Sequence, residues 1–249
     1  MTWLLLLALL GQGAGFAPLD VSALAVAPPM RLSTIDMKAL KGEPRRLAWS
    51  GDGLVLYLQT VDGRGQAATL RHYGVDVTGG QLRSLRQEPA WAGDYWAQKV
   101  NDTAPGFPTL RIDVALDQQK TRVAPFVGGF VNGGAPSGTE AASTISQQRV
   151  TLRVLGVEIG QWMTDEEKSG ATFGWGPIGS GALAFVDRAG HVALLDKERR
   201  QRIVGASHDA SHPAWSPDGG YVAFLQRASR TRYELVLVAL ARTDTTLDH

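Results

Sequence analysis

Most of this chain is a succession of short apolar runs, such as residues 54–58, 182–186, 192–196, 221–225 and 233–238, each bounded by Gly, Pro, Asp or Ser. Runs this short, rich in Val, Leu, Tyr and Phe and lacking a sustained 3.6-residue period, read as β-strands separated by tight turns. The pattern predicts an all-β fold.

The runs recur with self-similarity. His212-Pro213-Ala214-Trp215-Ser216-Pro217-Asp218-Gly219 leads into an apolar strand, and Glu43-Pro44-Arg45-Arg46-Leu47-Ala48-Trp49-Ser50-Gly51-Asp52-Gly53 does the same. A degraded copy runs from Phe173-Gly174-Trp175-Gly176-Pro177 to residues 181–185, and another is Pro89-Ala90-Trp91-Ala92-Gly93-Asp94-Tyr95-Trp96. The tryptophans are spaced 42 residues (Trp49 to Trp91), 84 (Trp91 to Trp175) and 40 (Trp175 to Trp215), which places a hidden copy near Phe126, Val127, Phe130 and Val131. Each copy carries a downstream half of two further strands, as in residues 192–196 and 201–204, 151–155 and 161–164, or 69–73 and 81–85. Four strands in a repeat of 40 to 45 residues is the size of a propeller blade. The expectation is a β-propeller of about five four-stranded blades over residues 28–241, between a leader at 1–27 and a tail at 242–249. Residues 31–37 alternate ahead of the first Trp copy, and they would complete the last blade and cover its edge.

The turn chemistry explains the motif. In Ser-Pro-Asp-Gly, Pro presets φ, Asp bonds nearby backbone and Gly accepts positive φ, so Asp52 and Asp218 are turn residues. Trp49, Trp91, Trp175 and Trp215 are wide apolar faces for the gap between packed sheets. Together these motifs resemble the repeat of TolB-like β-propellers, a Pro-x-Trp-Ser-Pro-Asp-Gly turn followed by an apolar strand. The likeness spans roughly residues 42–240 and is sharpest at 212–224. It implies envelope-associated protein binding and a usual six blades, although the chain is too short for the separate domain that precedes the propeller in TolB itself.

Composition narrows the partners. With 25 Lys and Arg against 24 Asp and Glu, the net charge of +1 generates no field selective for nucleic acid. The absence of cysteine removes disulfides, thiolate metal ligands and Cys nucleophiles. Residues 4–10 form a short apolar stretch of the signal-peptide kind, with small residues following at 13–15 and 23–25, so a periplasmic or secreted location is expected. Membrane contact would then come only through an uncleaved N-terminus, and the expected state is a monomer with a protein partner in the cell envelope.

Candidate chemistry is sparse. His208, Asp209 and His212 form the cluster with most binding potential, at the entry to a strand, where the i, i+4 spacing of the two His does not converge the rings on a metal. Asp165, Glu166 and Glu167 are adjacent in one loop rather than held about 5 to 10 Å apart across a bond, as glycoside hydrolysis requires. Arg199, Arg200 and Arg202, with Arg227, Arg230 and Arg232, read as loop charge or as Arg anchors for a protein. Small polar residues at 132–146 read as a loop. No catalytic residue, metal or cofactor is expected; the reading is a non-catalytic extracytoplasmic scaffold that binds a protein or small ligand through loops on one face, with a carbohydrate-active or glycan-binding propeller as the alternative.

Overall fold

The computed structural model describes residues 17–63, 68–123, 142–165, 173–187, 189–205 and 208–242. Their strands form four antiparallel sheets. The first is β3 (Glu43–Trp49), β4 (Val55–Asp62), β5 (Thr69–Asp76) and β6 (Leu82–Leu85). The second is β7 (Thr103–Ala104), β8 (Phe107–Val123), β9 (Ala142–Val154) and β10 (Val157–Asp165), and the third β11 (Phe173–Trp175), β12 (Ala182–Val186), β13 (Val192–Asp196) and β14 (Gln201–Gly205). The fourth holds β15 (Ala210–Trp215), β16 (Tyr221–Arg227) and β17 (Arg232–Arg242), joined by two N-terminal strands, β1 (Leu24–Val26) and β2 (Met30–Asp36). An all-β chain of antiparallel sheets, three of four strands and one of five, fits a β-propeller.

The turn motif forms as its chemistry demands. Ser50 Oγ donates to Asp52 Oδ1 (2.6 Å) while accepting from Val55 N (2.9 Å), and Asp52 Oδ1 also accepts from Leu54 N (3.0 Å). Ser216, Asp218, Gly220 and Tyr221 repeat the network at 2.5, 3.0 and 2.9 Å. Gly53 and Gly219 follow the Asp at φ +71° and +76°, where a side chain would be strained. These bonds to the charged form hold the Asp52 carboxyl below the usual range, the Ser50 hydroxyl contributing most. In the third copy Gly176 replaces the Ser, and Ser180 Oγ lies 2.6 Å from where a Cβ on Gly176 would stand, so a hydroxyl from the far end of the turn fills the vacated space.

Three of the four expected tryptophans sit between sheets. Trp49, Trp175 and Trp215 are 1%, 0% and 0% exposed, in cores shared by the first and fourth, the second and third, and the third and fourth sheets. Trp49 Nε1 donates to Ala214 O of β15 at 2.9 Å, tying the first sheet to the last. The stack therefore runs second, third, fourth, first.

Trp91 departs from the pattern. It lies on an α-helix, α2 (Ala90–Lys99), instead of a strand. Relative to the Trp, the intact copies carry Ser at +1, Asp at +3 and Gly at +4; here Ala92 has no hydroxyl and Tyr95 stands where the left-handed Gly is needed. Without the turn, three Ala, Gln98 and Lys99 favour helix, and Ala92, Tyr95 and Lys99 form its buried face. Downstream, where two blades were expected, the described residues form one sheet, because β8 and β9 pair from Leu110 opposite Val154 to Val123 opposite Ala142, with one shift of register between Leu116 and Gln118. Phe126, Val127, Phe130 and Val131 lie outside the described residues; residues 142–146 of the expected loop belong to β9. Besides the short 3-10 helix Val21–Ala23 and α1 (Met37–Leu40), the described residues thus contain four sheets and the helix α2 where five blades were expected.

The N-terminal segment is part of the fold. β2 pairs with β17 from Asp36 opposite Arg232 to Met30 opposite Leu237, and β1 pairs with the end of the same strand. Leu19, Val21 and Leu24, assigned by sequence to a leader, are buried against the third and fourth sheets. Asp196, fully buried, fastens them: it accepts from Val21 N (3.1 Å), Arg200 Nε (2.7 Å), Arg200 N (3.1 Å) and Glu198 N (2.9 Å), while Arg200 also pairs with Asp20.

Candidate functional site

Strand alternation gives the first sheet two unlike faces. One carries Leu47, Trp49, Leu56, Leu58 and Val75 and packs on the fourth sheet. The register sets Arg46 opposite Gln59 and Gln59 opposite His72, so these three and Tyr57 share the other face. Among the described residues no apolar core joins that face to the second sheet; Glu88, from the connection into α2, and the helix's Trp91 and Trp96 lie over it.

The hydrogen bonds of this cluster can be assigned atom by atom. Gln59 Nε2 donates to Glu88 Oε2 (3.1 Å), which can only accept, and to Tyr57 Oη (3.1 Å). Tyr57 then has its own proton for His72 Nδ1 at 2.6 Å, which makes neutral His72 the Nε2–H tautomer. Burial pushes the Tyr57 hydroxyl up to about 12, with the Glu88 charge adding to the shift, so it stays a donor. Arg46 pairs with Glu88 at 3.3 Å, the two side chains 28% and 27% exposed, and its guanidinium lies 5.3 Å from the centre of the Trp96 ring. Trp91 meets Tyr57 edge-on at 6.2 Å. Gln59 Oε1 is buried with no hydrogen-bond partner. An unpaired buried carbonyl costs about 1–3 kcal/mol. The aromatic faces and polar groups of the cluster suit a ligand with both apolar surface and hydroxyl or amide groups.

Further along α2, Tyr95 Oη donates to Trp215 O (2.7 Å) and Lys99 Nζ to Gly176 O (2.7 Å), with Nζ 5.2 Å from the Tyr95 ring centre. Burial drives the Lys99 ammonium down to about 7 and the Tyr95 hydroxyl well up. The helix is thereby pinned to the ends of β11 and β15 as well as to β3, and backbone carbonyls meet it there.

The residues singled out from sequence are dispersed. His208 is exposed, its Nδ1 3.0 Å from Ala189 O and its ring beside His191. Asp209 is an exposed turn residue at φ +62°, and His212, 7% exposed at φ +55°, occupies a bulge in β15 with Nδ1 near Ser211 Oγ. Asp165 ends β10, while Glu166 and Glu167 lie outside the described residues. Arg199, Arg200, Arg202 and Arg227 are bonded within the chain, to Glu158 O, to Asp196 and Asp20, to Ser22 O, and to Ser229 O and Arg230 O. The cluster on the first sheet was missed; its one signal in the sequence is Gln59, an amide inside an otherwise apolar strand.

No protein-family model matches this chain, and no curated protein sequence does. Solved structures are similar at low level. Oligogalacturonate lyase from Vibrio parahaemolyticus is 8% identical, with 84% of this chain and 68% of that chain covered and a TM-score of 0.26. Chaetomium thermophilum Sqt1, bound to the N-terminus of ribosomal protein L10, is 15% identical, with 79% and 45% covered and a TM-score of 0.24. Likeness at these scores assigns neither a family nor a partner to this chain.

Proposed function

We propose that this chain is a non-catalytic extracytoplasmic scaffold, a TolB-like propeller closed by β1 and β2 on β17, that binds a protein partner at the face between its first sheet and α2. The carrying observation is that half-buried Arg46, His72, Glu88 and Trp96 stand at this face over the buried Tyr57 and Gln59, where the other sheet interfaces are apolar. A rigid multi-sheet frame holding such a set on strands orders it in advance, which lowers the entropy cost of binding. The apolar stretch at residues 4–10 would direct export, and the chain would act as a monomer.

Glycan binding is the second reading, favoured by the Trp91, Trp96 and Tyr57 rings beside hydrogen-bonding groups. Hydrolysis has less support: Glu88 is the carboxylate bonded into the cluster, and carbonyls of Gly176 and Trp215 meet α2. Pull-downs from an envelope fraction with wild type, Arg46→Ala and Trp96→Ala, beside a glycan array, test the reading. Partner recovery by wild type and its loss in both variants is expected. Equal recovery by all three overturns the assigned face, and a glycan signal without protein recovery replaces the first reading with the second.

A further inference from the structure

The turn between β12 and β13 and the turn entering β15 are locked together at the rim of the third and fourth sheets. Asp187 Oδ1 accepts from Ala189 N (2.8 Å) and His191 N (2.9 Å), and Asp187 N donates to His191 O (2.9 Å). Ala210 N donates to Gly190 O (3.1 Å), and Gly190 approaches so closely that a Cβ there would stand 2.6 Å from Asp209 N. This contact brings two imidazoles side by side, with His191 and His208 ring centres 5.4 Å apart and planes tilted by 39°.

Both rings are oriented through the same nitrogen. His191 Nδ1 lies 3.2 Å from Asp187 Oδ2 and His208 Nδ1 3.0 Å from Ala189 O. A carboxylate and a carbonyl can only accept, so each Nδ1 is the donor, and in each neutral ring the lone pair stands on Nε2. Nδ1–H to a carboxylate or backbone carbonyl is the outer-shell arrangement that prepares a histidine for a metal. The spacing agrees: with a Zn–N bond of about 2.1 Å and a ring nitrogen about 1.1 Å from the ring centre, two imidazoles on one tetrahedral ion stand about 5.2 Å apart.

We propose that His191 and His208 form a two-histidine site for a borderline divalent cation of the Zn2+ class, ligated through both Nε2 atoms. Among the described residues no group of three or more His, Asp or Glu is placed to hold an ion together. With two ligands from the described residues, water or a group brought by a bound molecule fills the remaining positions. His191 is 22% exposed and His208 exposed, so solvent reaches the pair. Asp187 acts as a positioning residue through His191.

Calorimetric titration of the full chain with Zn2+, with Mg2+ as the hard-cation control, tests this. Wild type is expected to bind one Zn2+ and show a Zn2+-dependent rise in Tm, with no Mg2+ response. His208→Gln, on an exposed side chain whose loss leaves the fold intact, and His191→Gln should each weaken binding at least tenfold. With Cu2+ as probe, electron paramagnetic resonance should show two coordinated nitrogens in wild type and one in His208→Gln. Undiminished Zn2+ affinity in His208→Gln, an equal response to Mg2+, or no binding by wild type overturns the assignment.

Discussion

Replacing Lys99 by Met probes how α2 is held. The Lys99 side chain is buried and its ammonium falls from 10.5 to about 7. Between those values the folded state holds fewer protons than the unfolded state, so stability rises with pH across the window; below about 7 both states carry the proton and the burial cost is full. The difference amounts to about 4 kcal/mol against folding at about pH 7, falling to about 1.5 kcal/mol at about pH 9.5. Met keeps the length and apolar stem but leaves Gly176 O without its donor, a loss of about 1–3 kcal/mol. Lys99→Met should therefore be more stable than wild type by about 2 kcal/mol at about pH 7 and lose that advantage by about pH 9.5. Urea unfolding of both proteins at the two pH values measures this. Parallel pH dependence in the two would refute the reasoning, since it would mean that the ammonium is solvated or paired with an acid.

Two further substitutions test other joints. Ser216→Ala removes a fully buried hydroxyl that serves both Tyr221 N and Asp218, and should cost about 1–2 kcal/mol in urea unfolding with the m-value unchanged. Asp196→Asn places an amide NH2 among the four N–H donors that the carboxylate now accepts and strips the Arg200 guanidinium of a charged partner. It should cost about 3 kcal/mol and expose residues 17–26 to proteolysis, which mass mapping of early fragments reads directly.

Local chemistry is legible where the whole signal lies within a few residues. Ser50 with Asp52 and Ser216 with Asp218 close their turns by bonds two to five residues long, and a turn of fixed geometry after an apolar strand dictates the next strand. Trp spacing by itself was insufficient. Trp91 falls on the period, but Ala92 and Tyr95 remove the hydroxyl and the left-handed residue, and the segment folds as α2. Strand identity, the three intact Trp positions and the alternation of residues 31–37 were thus determined by sequence, because each depends on side-chain type at short range. The cluster of Arg46, Gln59, His72 and Glu88, the burial of Lys99 and the meeting of His191 with His208 were decided only by tertiary structure. Those residues lie far apart in the chain, or on opposite sides of a turn whose docking partner is distant, and their environment depends on which face of each sheet a neighbour covers.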